Sequence, residues 1–489
     1  MSCVVWVPRC WEIAKCRLDL YNCAPLKVVS YAITEGPIMP ESGNRLERVC
    51  VGATLAVLLW LPLPLGSNLD WATGMLVLLI GALGVLWTIV RLVDSEARQR
   101  QAETLKAGLP LLILLLVSQS WVAIQWLGGF TVDVGETFRY LMLGLAYSLL
   151  FLVIISLFHT RKRLTLLLAV LVVSGTLQGF WGALMTLSGI EWLLVGPKDS
   201  YIGVATGTFV NRNHLAGYLE MALACGIGLL LALRDGKPFS WSNLIELLLG
   251  PKARLRLALV IMVIALVMTR SRMGNAAFFA SLLLVGGLFV LIEKENRLRN
   301  SLILASLVLI DVLVISQYFG LERLKERILD TRLNDVVVNG EVVQQANEVR
   351  DNVFGYALPL LFERPVTGQG AGSFEAVFPK YPGDDIRLHF DHAHNDFLQF
   401  AIEFGLLGLI PLAGFVLLAL WHGLRALWRK RSTYRSGVAF GAVMGILALL
   451  FHSATDFNLQ IPANAATFVV LGAIAVLAGQ HSRPRRLHG

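Results

Sequence analysis

Residues 391–421 read DHAHNDFLQFAIEFGLLGLIPLAGFVLLALW. A polar cluster, Asp391-His392-Ala393-His394-Asn395-Asp396, is followed by a run without a single charge after Glu403. An α-helix rises about 1.5 Å per residue, so a hydrocarbon core of about 30 Å takes about 20 apolar residues. Residues 397–421 are therefore predicted to cross a membrane, entered through a pair of histidines. In the first turns Asn395, Gln399 and Glu403 repeat at i, i+4 and i+8 and share one helix face. Turning that stripe to lipid would cost up to about 3 kcal/mol per charged group, so it is predicted to face protein or a water-filled cavity.

The same pattern recurs along the chain. Of 489 residues, 56% are hydrophobic and only 16% are charged, against about 25% in a soluble domain. That deficit excludes a soluble enzyme, a disordered chain and a secreted disulfide scaffold. Twelve spans are predicted: 47–65, 71–90, 109–127, 140–158, 164–187, 213–233, 254–268, 274–292, 301–319, 397–421, 436–456 and 463–479. The fold expected is an all-α polytopic membrane protein with one large loop, 320–395, between the ninth and tenth spans. Residues 1–46 and 480–489 are expected to be cytoplasmic. Residues 1–38, with four of the six cysteines, read as an upstream extension or an interfacial amphipathic helix, because a start at Met39 would lead naturally into the first span.

Net charge is +8, from 42 Lys and Arg against 34 Asp and Glu. With both termini inside, the segments after the second span predicted to be cytoplasmic carry 23 basic residues and the short external loops carry 5. This bias is the positive-inside signature, and it accounts for the basic charge without nucleic acid. The external exceptions are informative: Arg139, Lys198, Arg212, Arg270 and Arg272.

Four polar clusters fall on the predicted external side: Asn211-Arg212-Asn213-His214, Arg270-Ser271-Arg272, the 391–396 cluster and His452-Ser453-Ala454-Thr455-Asp456-Phe457-Asn458. A guanidinium binds phosphate oxygens in a fork, so three arginines near one face could hold a lipid diphosphate; headgroup snorkelling is the plainer alternative. An imidazole can act as a general base near neutral pH. Capping of the following helix by Asp391 or Asn395 is the plainer reading of the third cluster. His452 and Asp456 are spaced as a structural i, i+4 pair. Glu220 and Asp311 lie inside spans, where an ionisable side chain is a functional candidate by default. In the long loop, 345–362 has near-helical apolar spacing and is expected to lie on the membrane face, ended by Pro365 and Gly368. The run Gly368-Gln369-Gly370-Ala371-Gly372 is either a plain turn or a backbone cradle for an anion. No metal motif and no nucleotide fingerprint occurs, so no cofactor and no metal are expected.

His394-Asn395, followed after nine residues by Gly405-Leu406-Leu407-Gly408, resembles the His-Asn…Gly-x-x-Gly signature of the O-antigen ligase/polymerase superfamily. Arg364-Pro365 with Gly368-x-Gly370-x-Gly372-x-Phe374, Gly207-Thr208-Phe209-x-Asn211-x-Asn213, Thr269-Arg270-Ser271-Arg272 and the 452–458 stretch are similar to the same group, over roughly 200–470. The resemblance implies a bacterial inner-membrane glycosyltransferase of the C-type membrane fold, metal-independent, with its active site on the periplasmic face. Its donor would be a glycan on undecaprenyl diphosphate. Its acceptor would be lipid A-core, another glycan or a protein. By motif, His394 matches the family's loop histidine, and Arg212 with Arg272, or Arg270 in its place, matches the donor-binding arginines. Asn395, Glu403, His392, Asn211, Asn213 and Asp456 are the expected supporting residues.

The reaction implied is a single inverting displacement, with His394 taking the acceptor proton and the arginines neutralising the leaving diphosphate. O-antigen ligase, O-antigen or exopolysaccharide polymerase and protein O-oligosaccharyltransferase share these motifs. Two other classes compete: a secondary transporter, which would carry internal repeats and midplane site residues, and an inactive assembly scaffold.

Overall fold

The computed structural model describes residues 45–194, 196–233, 253–293, 297–298, 301–302, 304–306, 309, 336–338, 341–344, 350–380, 390–429 and 432–480. Most of the predicted ninth span, with Asp311, lies outside these residues, as do the extension at 1–38 and the tail beyond Gln480.

The helices in chain order are α1 Arg45–Trp60, α2 Asp70–Val93, α3 Ser95–Leu127, α4 Val134–Leu157, α5 Arg161–Ser188, α6 Arg212–Ala232, α7 Ala253–Met268 and α8 Arg272–Ile292, then α9 Arg350–Glu363, α10 Phe374–Val377, α11 Asp396–Arg429, α12 Thr433–Ser453 and α13 Pro462–Gln480. Two small hairpins, Trp192–Leu193 with Gly196–Pro197 and Val336–Val338 with Glu341–Gln344, are the strands among the described residues. Nine described helices are long and apolar enough to cross a membrane. The chain is thus an all-α polytopic membrane protein. The predicted first and seventh spans appear as α1 and α7, of 16 residues each, about 24 Å of helix. The first span was expected to reach residue 65, but α1 stops at Trp60, before Pro62 and Pro64. Residues 91–108, between the predicted second and third spans, are helical and broken only at Asp94.

Side-chain oxygens set the helix starts. Asp94, Asp133, Thr160, Asn211, Ser271 and Ser432 accept from backbone N–H groups in the first turns of α3, α4, α5, α6, α8 and α12, satisfying donors a helix start leaves open. The interior is built on α6, α12 and α13. The hydrophobic window of α6 is buried throughout. It meets α12 so closely that a Cβ on Gly228 would lie 2.7 Å from the Gly437 carbonyl oxygen. Small residues permit that approach, which dispersion then rewards.

At this same end of the bundle, where Tyr434 of α12 donates to the Arg161 carbonyl, one carboxylate ties three segments. Glu47 of α1 is fully buried and accepts from Arg163 of α5 at 2.8 Å and Arg100 of α3 at 3.3 Å. Removing one member of a buried pair strands the other charge and costs about 3–5 kcal/mol. Glu47→Ala is therefore expected to lower the unfolding temperature in detergent sharply. Glu96→Ala, which removes an exposed partner of the same Arg100, should change stability by less than about 0.5 kcal/mol. Equal effects would remove Glu47 from this role.

Candidate functional site

α11 is two helices in one. At Gly405 the backbone turns to φ 59°, ψ −176°, a conformation that essentially only glycine adopts. The break frees carbonyls below it and N–H groups above it, and a membrane interior offers no water to satisfy them. The 364–370 segment does so. Gln369 and Gly370 donate to the carbonyls of Ile402 and Glu403 at 2.8 and 3.0 Å, and Leu406 and Leu407 donate to the carbonyls of Pro365 and Val366 at 2.9 and 3.2 Å. From α3, Trp121 donates to the Phe404 carbonyl at 2.9 Å, and Gln125 to those of Glu403 and Thr367 at 3.0 and 2.7 Å. Gly405 and Gly368 touch backbone to backbone; a Cβ on Gly405 would sit 2.4 Å from the Gly368 nitrogen.

The glycine run therefore does not cradle an anion. The N–H groups of Gly368, Gln369 and Gly370 donate to main-chain carbonyls, Ala371 donates to the Gln125 side chain, and Gly372 to the Glu403 carboxyl. The helix expected on the membrane face turns Val353, Ala357 and Leu360 inward onto Phe374, Phe378 and Ile402. Leu358 and Phe362 face outward on its opposite side.

Glu403 is fully buried one turn below Gln399. Its Oε1 accepts from Gln399 Nε2 at 3.0 Å and from the Phe374 N–H at 3.3 Å. Gln399 also bonds His392 Nδ1 at 3.0 Å and accepts from the Ala393 N–H at 3.1 Å. The predicted stripe thus holds for Gln399 and Glu403, and it positions the 392–394 loop. Asn395 leaves the stripe: its Oδ1 caps the helix by accepting from the Leu398 N–H. Asn211 likewise caps α6 and accepts from the Asn213 N–H at 2.9 Å.

His394 sits on left-handed backbone, φ 50°, which is uncommon without glycine and costs about 1–3 kcal/mol. Tyr201 and Arg270 share this strain at 54° and 52°. Phe457 is the hub of the site. Its ring meets His214 edge-on at 4.6 Å, His394 edge-on at 4.8 Å and His392 at 4.3 Å with the planes tilted by 31°. Beside it, Asp456 accepts from Asn213 at 2.5 Å and lies 3.8 Å from His214 Nε2. His452 does not pair with Asp456, as its spacing predicts; its Nδ1 lies 2.8 Å from Glu220 on α6, and both are fully buried. Asp396, also buried, takes hydrogen bonds from Ser453, the Leu459 N–H and Gln460, which ties α11 to the 453–460 turn.

Arg212 and Arg272 are the first residues of α6 and α8, and Arg212 lies over the Tyr201 ring at 5.8 Å. Arg270 is half-buried in the turn before α8, whereas Arg272 is exposed. The segments bearing them are joined: Ala205 donates to the Met268 carbonyl at 3.0 Å, and a Cβ on Gly274 would fall 2.7 Å from Ala216. All three arginines therefore emerge at the end of the bundle that carries His394. His214, Gln399 and Phe457 are site residues absent from the expected set. All three stand inside stretches already singled out; an aromatic by itself reads as core. Among the described residues no group of three His, Cys, Asp or Glu side chains could hold a metal ion.

These features define a polytopic membrane protein with a strained histidine, a cluster of rings and three arginines at one end. Residues 257–413 match the family described as O-antigen ligase, which supports the O-antigen ligase superfamily and a glycosyltransferase-like enzyme. The match takes in Arg270, Arg272, His394 and Glu403 and stops short of Asp456. No curated protein matches the chain.

Two outcomes follow. Gly405→Ala should destabilise the protein by about 3 kcal/mol, while Gly287→Ala, in α8 with nothing within 4 Å, should be neutral or stabilising by roughly 0.5–1 kcal/mol; comparable melts for both would contradict the role of the break. Burial holds His392 below its ordinary range despite the opposing pull of Asp391 and Gln399. The folded state then binds that proton less readily than the unfolded chain, and stability is lost as pH falls below about 6.5. His392→Gln should flatten that acid limb in melts recorded between about pH 7 and 5.

Proposed function

We propose that the chain is an O-antigen ligase-like glycosyltransferase that moves a glycan from a polyprenyl diphosphate, undecaprenyl diphosphate in the bacterial inner membrane, to an acceptor hydroxyl on lipid A-core. The observation that carries this reading is the placement of His394, on strained backbone against Phe457, at the same end of the bundle as Arg212, Arg270 and Arg272. His394 takes the proton from the acceptor hydroxyl. The acceptor oxygen forms a bond to the anomeric carbon as the bond from that carbon to the diphosphate oxygen breaks. The anomeric centre inverts, and the polyprenyl diphosphate leaves with the electron pair. Arg212 with Arg272 or Arg270 balances the charge gathering on it. Helix starts add their partial positive charge at Arg212 and Arg272. Glu403, Gln399 and His392 hold the loop that aims His394, and Asp456 with Asn213 holds the other wall. Orientation with the positive-inside bias puts this end in the periplasm.

The test is transfer by the purified protein from a lipid-linked glycan to lipid A-core. His394→Ala should reduce turnover by about 10²–10⁴-fold. Alanine at Arg212 should weaken transfer strongly, and alanine at Arg270 and at Arg272 singly will show which of them serves the donor. Near-normal turnover by His394→Ala would remove its role as base. Elongation of lipid-linked glycan, with none transferred to lipid A-core, would identify a polymerase instead.

A further inference from the structure

An apolar surface spans the end of α5 and the loop that leads to α6. On α5, Leu177, Phe180, Leu184 and Leu187 are exposed and, at 100° per residue, fall within an arc of about 80°. A helix in lipid is expected to show such a stripe, but here the stripe outlasts the helix. In the loop beyond Ser188, Ile190, Trp192, Leu194, Tyr201 and Ile202 are exposed as well, Ile202 at 61%. So dense a run of exposed apolar side chains marks contact with lipid or with an apolar ligand. Two of the loop's charges are spent on each other. Lys198 Nζ donates to Glu191 Oε2 at 2.5 Å and to the Val204 carbonyl at 2.9 Å, and the Gly203 N–H donates to Glu191 Oε1 at 2.8 Å. Lys198, an external exception to the positive-inside pattern, is thereby consumed within the hairpin.

Two observations join this surface to Arg212. The Arg212 guanidinium lies 5.8 Å from the centre of the Tyr201 ring. Tyr201 also stands on left-handed backbone, φ 54°, a strain that persists only where the surroundings impose it and that gathers at ligand sites. From the other side, α5 is clamped to the segment that runs into Arg212. A Cβ on Gly182 would lie 2.9 Å from the Gly207 nitrogen, and Gln178 accepts from the Thr208 N–H at 2.9 Å. A donor whose diphosphate sits at Arg212 must lead its hydrocarbon from that point back into the bilayer, and the surface that starts at Arg212 is the Tyr201 ring. Resting on the reading that Arg212 takes the donor diphosphate, we propose that Tyr201, Ile202 and Trp192 seat the first isoprene units of the polyprenyl chain. The chain then follows Leu187, Leu184 and Phe180 down α5. Trp192 and Tyr201 suit the depth at which this happens, because such rings settle at headgroup level.

The experiment offers the full chain one glycan on two carriers, undecaprenyl diphosphate and geranyl diphosphate, with lipid A-core as acceptor. The wild-type protein should use the long-chain donor at a KM at least about tenfold lower. Trp192→Ser with Ile202→Ser should cut that preference about tenfold, through the KM of the long-chain donor and with little change in kcat. Leu92→Ser with Val93→Ser removes equally exposed apolar side chains from the last turn of α2 and should keep the preference within about twofold. A loop that only anchors the protein at the interface would slow both donors alike. An undiminished preference in the hairpin variant, or an equal loss in the α2 variant, would therefore overturn the proposal. A second measurement needs neither turnover nor a variant that folds. Undecaprenyl diphosphate with a diazirine in its first isoprene units, irradiated with the wild-type protein, should label residues within 177–202. Such labelling of a protein that transfers from neither donor would strike the transferase reading and keep the lipid site. Labelling confined to other segments would overturn the site, whether or not transfer is seen.

Discussion

The backbone exchange at Gly405 is the constraint on which the rest of the site depends. A break inside a membrane helix exposes carbonyls and N–H groups that lipid cannot satisfy, each at a cost of several kcal/mol. The chain answers with its own 364–370 segment and with Gln125 and Trp121. That answer requires a second chain segment to lie directly against the break, and only Gly368 facing Gly405 lets the two backbones approach. Once the segment is seated, the N–H groups of Gly372 and Phe374 fall on the Glu403 carboxyl. Glu403 then holds Gln399, and Gln399 holds the His392–Ala393 loop that ends at His394. The strain at His394 is affordable because this chain of contacts leaves the loop few alternatives.

The opposite wall is fixed by different means. The turn between α12 and α13 is held by Asp396, which gathers Ser453, Leu459 and Gln460. That turn delivers Phe457 to three imidazoles and Asp456 to Asn213. Both walls are thus anchored on α11, one through Glu403 and one through Asp396, seven residues apart on a single half-helix. Two buried carboxylates in one short helix are tolerable in a membrane only because each accepts several hydrogen bonds.

Composition and periodicity were enough to read an all-α membrane protein, because about 20 apolar residues have few other uses. The stripe of Gln399 and Glu403 was legible for the same reason: helical spacing fixes which side chains share a face. The glycine run was not. Gly368, Gly370 and Gly372 permit either a cradle for an anion or a close backbone approach, and the choice depends on a break 35 residues away that local pattern does not reveal. His452 was misread through its i+4 neighbour, since spacing along one helix is silent about Glu220 arriving from another. Asn395 and Asn211 both cap helices; for Asn395 the sequence already offered that role, which every polar helix start makes available. Phe457 stood within the 452–458 stretch already singled out, but an aromatic there gives no sign of the three imidazoles it meets.

A broken helix beside a buried carboxylate is also what secondary carriers use, and there the freed carbonyls coordinate an ion or substrate near the midplane. The two uses differ in what the break leaves open. In this chain the carbonyls of Ile402, Glu403 and Phe404 already accept from Gln369, Gly370, Gln125 and Trp121, and the N–H groups of Leu406 and Leu407 are spent on Pro365 and Val366. A gate must exchange such bonds during its cycle, yet here opening the break would strip at least six hydrogen bonds at once from a low-dielectric interior. The same bonds that would obstruct alternating access suit a fixed site, because catalytic or binding groups must be held to within about 0.5 Å of their working geometry. The discontinuity in α11 is therefore best understood as a rigid mount for the His394 loop.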